Sequence, residues 1–180
     1  MANKSKILRG VVPPVCTPFT SDYEVDEKSF RRLINHLIDG GVHGLFVLGS
    51  TSEVAYLTDK RRADVIRIAI DETAGRVPVV AGAIDMTTFR VNEHVRAAVG
   101  AGIDGIVITV PFYVRTHPEE IALHFRLVKE ACGDVPLYAY DIPGAVNGVK
   151  LETATVLKLA KEGVIQGLKD SSGNDAGIRA

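Results

Sequence analysis

Gly40-Gly41-Val42-His43-Gly44-Leu45-Phe46-Val47 and Ala101-Gly102-Ile103-Asp104-Gly105-Ile106-Val107-Ile108 are two copies of one pattern. Each has a glycine helix stop, an apolar anchor, a polar residue, a glycine and then an apolar run. Self-similarity of this kind points to a repeated βα unit. Reading outward, strands are predicted at Gly10–Thr17, Gly44–Leu48, Val77–Ala81, Gly105–Thr109, Pro136–Tyr140 and Val164–Leu168. Asp26 is placed to cap a helix running to Ile38, with Phe30, Leu33, Ile34, Leu37 and Ile38 on one face. Further helices are predicted over Asp59–Thr73, Thr87–Ala101, Pro118–Ala131 and Leu151–Lys161. The strand–helix repeat is about thirty residues, the size of one βαβ crossover. The strands are apolar on successive residues, as parallel strands covered on both faces require.

Two α/β architectures meet that description. A doubly wound sheet places a Gly-rich phosphate turn after its first strand. Here that strand ends in Cys16-Thr17-Pro18-Phe19, and the sequence contains no G-x-G-x-x-G or P-loop. Hydroxyl-rich turns instead follow the second, fourth, fifth and sixth strands, the habit of a (β/α)8 TIM barrel. The expected fold class is therefore α/β, a (β/α)8 TIM barrel of which this chain supplies about the first six βα units. Residues 1–180 form a single barrel domain on this reading. Because such barrels take about 250 residues, the domain is expected to be truncated at its C-terminus, with unpaired strand edges.

Composition narrows the function classes. A chain of 180 residues that is 46% hydrophobic and 24% charged can bury a substantial core. A formal net charge of -1 gives no electrostatic case for nucleic acid or an anionic membrane. No apolar stretch approaches the roughly 18 residues needed to span a bilayer. The basic start from Met1 to Arg9 lacks an apolar region before a cleavage site. Cys16 and Cys132 stand far apart, which fits a reducing compartment. A cytoplasmic protein with no nucleic-acid or membrane partner is expected, and Cys16 is expected in the core. The five histidines show no metal-ligand spacing, and His36, His94 and His124 are expected on helix surfaces.

Lys169 follows the last predicted strand, in Gly167-Leu168-Lys169-Asp170-Ser171-Ser172-Gly173. A lysine that has reached the solvent edge of a strand and a buried amine poised for Schiff-base chemistry both fit the segment alone. The other strand ends on the same rim supply Ser50 and Thr51, Tyr113, and Tyr140, a set of phenols and hydroxyls around one amine. Each has a plainer reading. Ser50 and Thr51 fit a turn or a helix cap, and Tyr140 fits a core tyrosine with its hydroxyl bonded. Tyr138 falls on the same strand face as Tyr140 and fits packing or a pocket wall.

Four motifs together carry a resemblance that covers about Gly10 to Gly173. Gly49-Ser50-Thr51-Ser52-Glu53 is similar to a G-T-T-G-E loop, and Pro111-Phe112-Tyr113 to P-Y-Y. Tyr140-Asp141-Ile142-Pro143 is similar to Y-[ND]-[VI]-P, and the Lys169 segment to G-[IV]-K-[DE]-[ST]-[ST]-G. The chain resembles the dihydrodipicolinate synthase / N-acetylneuraminate lyase family of pyruvate-dependent class I aldolases. The resemblance implies that Lys169 forms a Schiff base with pyruvate or another 2-oxo acid. The covalent imine is the electron sink, so no cofactor or metal is expected. Tyr140 would relay protons, Ser50 would extend the relay toward a Tyr113 from a neighbouring subunit, and Ser50 and Thr51 would bind the carboxylate at a helix start. A homo-oligomer, dimer or tetramer, is implied.

The departures from the motifs bear on the substrate. Ala145 stands where the synthases carry an arginine for the second substrate's carboxylate, and Asp141 resembles the lyase side of the family. Ser52 replaces a usual glycine. The first expectation is a Schiff-base aldolase or dehydratase, a carbon–carbon or carbon–oxygen lyase, with a sugar-acid or aromatic partner fitting better than a semialdehyde. The alternative within the family is dihydrodipicolinate synthase, with a carboxylate partner supplied elsewhere in the chain. The alternative from another class is a catalytically idle barrel fragment.

Overall fold

The computed structural model describes residues 8–174 and residue 176. The elements alternate as α1 (Glu27–Asp39), β1 (Leu45–Val47), α2 (Asp59–Thr73), β2 (Val79–Gly82), α3 (Thr88–Gly100), β3 (Gly105–Ile108), α4 (Pro118–Cys132), β4 (Leu137–Asp141), α5 (Thr153–Lys161) and β5 (Gly167–Asp170). The strand order is β1-β2-β3-β4-β5, and both β1–β2 and β4–β5 are parallel. A strictly sequential parallel order has no switch point, so it is the order of a (β/α)8 barrel and not of a doubly wound sheet. Among the described residues no helix is long and apolar enough to cross a membrane.

The chain divides into two compact units, Met1–Gly82 with Ala97–Ile106 and Ala83–Arg96 with Val107–Ala180. In the first unit Asp26 caps α1: its carboxylate accepts the Ser29 N–H at 3.1 Å and the Ser29 hydroxyl at 2.6 Å. Those bonds hold the Asp26 carboxyl below its ordinary range. Helix α1 buries Phe30 and Ile34, one turn apart on a single face. Thr58 caps α2, which buries Val65, Ile66, Ile68 and Ala69. In the second unit α4 opens with Pro118 inside a capping box of His117 and Glu120, and buries Ile121, Phe125 and Val128.

The repeated sequence pattern has a structural counterpart that occurs three times. Gly41, Gly102 and Gly163 all take positive φ, and each closes a helix in a double hydrogen-bonded C-cap. Val42, Ile103 and Val164 donate back to Leu37, Ala98 and Leu159, while the glycines donate to Ile38, Val99 and Ala160. The next polar residue then pairs twice with an earlier segment of the chain. His43 donates its N–H to the Val11 carbonyl and its Nδ1 accepts the Val11 N–H. Asp104 does the same with Val79, through Oδ2 at 2.9 Å, and Gln166 with Leu137, through Oε1 at 2.8 Å. Each clamp stands just before a strand, so it sets the register in which that strand pairs.

The structure corrects several sequence expectations. The first predicted strand, Gly10–Thr17, is an extended segment with a single parallel bridge, Pro14 to Phe46. Pro13 and Pro14 have no N–H to donate, which interrupts the ladder. Val164 is consumed by the helix cap, so the last strand begins at Gly167 and Lys169 lies within β5 rather than after it. Helix α5 starts at Thr153, because the Leu151 N–H is held by the Asp141 carboxylate. Cys16 is exposed, not in the core, since its neighbours Val15 and Thr17 take the buried face. His36 is exposed and His94 bonds Asp85 at 2.9 Å. His124 is buried, 2% exposed, against Thr88. The basic start, Met1 to Arg9, falls mostly on residues 1–7, outside the described residues.

Two measurements check this picture. Asp104→Ala leaves the buried Val79 N–H without its acceptor and lowers the urea-unfolding free energy by about 1–3 kcal/mol, while Asp104→Asn, which keeps an acceptor oxygen, costs less. Burial pushes His124 down to about 4, with the Thr109 carbonyl only partly opposing it. The unfolded ring protonates through about pH 6.5, so the stability from neutral His124 is complete above that pH and is lost as pH falls toward 4. The loss is on the order of 3 kcal/mol, and His124→Phe flattens the acid limb of stability against pH.

Candidate active site

Parallel pairing places Tyr140 opposite Lys169 in the register of β4 and β5. Paired residues of neighbouring strands point to the same face. The Lys169 ammonium therefore lies over the Tyr140 ring, 3.8 Å from its centroid, an arrangement the ring quadrupole favours. Lys169 Nζ donates to Ser171 Oγ at 2.9 Å, and the Ser171 hydroxyl donates to Tyr140 Oη at 3.5 Å. Tyr140 is buried, 3% exposed, and Lys169 is half-buried. Amine, hydroxyl and phenol form one closed set. Ser171 received no role from the sequence; the available signal was its spacing of two from Lys169 on a strand. Tyr138, on the same face, packs against Gly167, where an added Cβ would come within 3.1 Å of its ring.

The opposite face of the same strand pair is acidic. Asp141 is paired in register with Asp170. Asp141 is buried and accepts the Leu151 N–H at 3.1 Å, and its carboxylate binds the Lys150 ammonium. Lys150 also reaches Asp170 at 3.7 Å. Burial works to raise the Asp170 carboxyl, but hydrogen bonds from Ser172 and the Lys150 charge hold it below its ordinary value.

In the same unit Tyr113 is exposed, at 78% of its surface, on the loop after β3. With Met86, Phe89, Val114 and Leu123 it lines an apolar hollow of about 480 Å³. Ser50 and Thr51 belong to the other unit, on the turn after β1, and both are exposed. The turn is closed by Ser52 N–H to the Gly49 carbonyl at 3.1 Å and Glu53 N–H to the Ser50 carbonyl at 3.0 Å. Gly49 is needed for close approach, because a Cβ there would sit 2.7 Å from the Phe46 ring. Ser50 and Thr51 are not the caps of the helices that come next: Glu53 precedes the short 3₁₀ turn Val54–Tyr56 and Thr58 caps α2. The expected helix start at Thr51 is thus only a turn, with the α-helix beginning eight residues later at Asp59.

Two residues missed by sequence reasoning anchor that turn. Ser52 is fully buried; its hydroxyl donates to the Val15 carbonyl and its own carbonyl accepts from Thr17 Oγ1 at 3.0 Å. Arg62, 8% exposed, donates to the Val54 carbonyl at 3.1 Å and the Leu57 carbonyl at 3.4 Å. Arg62 follows Lys60 and Arg61 in the sequence, but its position on the inner side of α2 buries it.

Comparison with known proteins places these features in a family. The dihydrodipicolinate synthetase family matches residues 7–178. The 4-hydroxy-tetrahydrodipicolinate synthase of Salinibacter ruber is 37% identical over 169 residues, covering 93% of this chain and 55% of that protein. The enzyme of the same name from Methanothermobacter thermautotrophicus is 38% identical over 165 residues, covering 92% and 58%. Among solved structures, a prophage protein of the dihydrodipicolinic acid synthase family from E. coli K12, in complex with pyruvate, superposes with a TM-score of 0.91 at 35% identity, covering 97% of this chain and 58% of that one. The chain spans about half the length of the curated relatives it matches.

The anchoring of the Ser50–Thr51 turn is open to test. Ser52→Ala removes the hydroxyl that donates to the Val15 carbonyl in a buried setting, and is expected to cost about 1–3 kcal/mol in thermal or urea unfolding.

Proposed function

The chain belongs to the dihydrodipicolinate synthetase family, and on that premise we propose that it forms a Schiff base with pyruvate or a related 2-oxo acid through Lys169. The observation that carries the reading is the closed set of Lys169, Ser171 and Tyr140 on one strand face. The amine attacks the C2 carbonyl, water leaves, and the protonated imine withdraws electrons from C3. A C3–H or C3–C4 bond then breaks to an enamine, so the covalent imine does the work of an electron sink and the reading calls for no separate cofactor. Tyr140 lies within reach to exchange protons with the carbinolamine oxygen as water is expelled, a general acid–base role. Ser50 and Thr51 would meet the carboxylate through hydroxyl and backbone N–H groups. The exposure of Tyr113 beside an apolar hollow supports its service to a second copy of the chain, and hence a dimer or tetramer.

Carbon–carbon bond cleavage or condensation on a sugar-acid or aromatic partner is the favoured reaction, because Ala145 offers no charge to a second carboxylate. Condensation with a semialdehyde is the second reading. It is supported by Arg115, whose guanidinium lies 4.0 Å from where a Gly148 Cβ would stand, so a cation from the loop after β3 is close to the loop after β4.

Incubation with pyruvate and borohydride is expected to add one reduced pyruvyl group, mapped by mass spectrometry to Lys169 and lost in Lys169→Met. Tyr140→Phe should slow trapping by about 10²-fold or more. A folded chain that takes up no adduct under these conditions would sink the Schiff-base reading. A panel of 2-oxo-sugar acids and aspartate semialdehyde, run on wild type and Arg115→Ala, separates the two partner readings.

A further inference from the structure

We propose that Lys150 is a positioning residue for the Lys169–Tyr140 pair, acting from the opposite face of β4 and β5 by holding Asp141 and Asp170 together. The inference rests on the Schiff-base reading of Lys169. Tyr140 pairs with Lys169, so the next residues along each strand, Asp141 and Asp170, are also paired. Alternation turns these two carboxylates to the face away from the amine and the phenol. Paired positions on adjacent strands stand about 5 Å apart, and like charges directly opposite each other weaken a strand pair. Here both side chains are nearly covered, at 2% and 8% of their surface, which removes the water that would screen them. Without a cation the strand ends would be pushed apart at the point where Lys169 and Tyr140 face each other.

Lys150 supplies the cation. Its neighbours Val149 and Leu151 are buried, so the backbone of the loop after β4 is pinned on both sides of it. The Leu151 N–H bonds Asp141 Oδ1 at 3.1 Å, and the Lys150 ammonium takes the other Asp141 oxygen and lies 3.7 Å from Asp170 Oδ2. The same corner is closed by the Ser171 N–H, which donates to the Asp141 carbonyl at 2.8 Å. Ser171 is the residue whose hydroxyl joins Lys169 to Tyr140. A displacement of Asp170 from Asp141 is therefore transmitted directly to the amine. The assignment also removes Lys150 from the choice of residues that could receive a substrate carboxylate, since two acids already occupy it.

The test is charge balance. The rate of borohydride trapping at Lys169 is compared in the wild-type chain, in K150M and in the double variant K150M/D170N. K150M keeps the aliphatic stem but leaves two facing carboxylates, and trapping is expected to slow by about tenfold. K150M/D170N still lacks the cation but no longer has the repulsion, and is expected to return to within about threefold of wild type. A lysine with a merely structural role would leave the double variant no better than K150M. Trapping in K150M at the wild-type rate, or a double variant as slow or as unfolded as K150M, overturns the proposal. If the wild-type chain itself takes up no adduct, the Schiff-base reading fails, and the positioning claim is then decided by hydrogen exchange. The Ser171 amide should exchange faster in K150M and be protected again in K150M/D170N; equal exchange in all three forms overturns it.

Discussion

The double pairing of Gln166 with Leu137 is the constraint on which the second unit depends. Gln166 uses its backbone and its side chain on the same partner, donating to the Leu137 carbonyl and accepting its N–H, both at 2.8 Å. A parallel pair can in principle slip by one residue, which would turn every side chain of β5 to the other face. Gln166 forbids that slip, because an alternate register would leave the buried Leu137 N–H and carbonyl without their partners. With that register set, Tyr138 meets Gly167, Tyr140 meets Lys169 and Asp141 meets Asp170. The facing of Lys169 and Tyr140 is thus set by a polar residue three places ahead of the lysine, on a strand only four residues long.

One strand pair accordingly carries two different electrostatic designs. On one face an ammonium rests on the ring of a buried tyrosine and bonds a serine hydroxyl. On the other, two acids share a lysine. The separation matters because an amine that is to act as a nucleophile gains nothing from a carboxylate beside it: an opposite charge favours the ammonium and holds its proton in place. Asp170 is adjacent to Lys169 in sequence, yet strand alternation turns it away and Lys150 occupies it. The groups that Lys169 bonds or stacks on are neutral, the hydroxyl of Ser171 and the ring of Tyr140.

The helices, the parallel order and the lysine proposed to react were legible from the sequence, for reasons that differ. Helix α1 announced itself through Asp26 and the spacing of Phe30 and Ile34, because a cap and an amphipathic period are local signals. The start of β5 did not, because Val164 satisfies a strand pattern and a helix C-cap equally well, and only the hydrogen bond to Leu159 decides between them. The first strand failed for a related reason: Val11, Val12 and Val15 look like a strand, while Pro13 and Pro14 decide how much of a ladder can form. Ser171, Ser52 and Arg62 were hidden because their roles are set by their partners in space. These are a strand neighbour for Ser171, the Val15 carbonyl for Ser52, and two carbonyls of a turn for Arg62.

If Lys169 is the Schiff-base lysine proposed above, the stacked ammonium defines what would have to change before the amine could react. The face of the Tyr140 ring attracts a cation and offers little to a neutral amine. Losing a proton weakens that contact while leaving the amine bonded to Ser171, so the nitrogen is released from the ring but stays anchored at one point. On the same reading, the lone pair would then be free to turn toward a substrate carbonyl. The same stacking that stabilises the resting lysine thus becomes weaker as the nucleophile forms, whereas the hydroxyl bond persists through both states. On the Schiff-base reading proposed for Lys169, Tyr140 would therefore do more than exchange protons: its ring sets the place of the ammonium, and its hydroxyl accepts from the same Ser171 that Lys169 bonds.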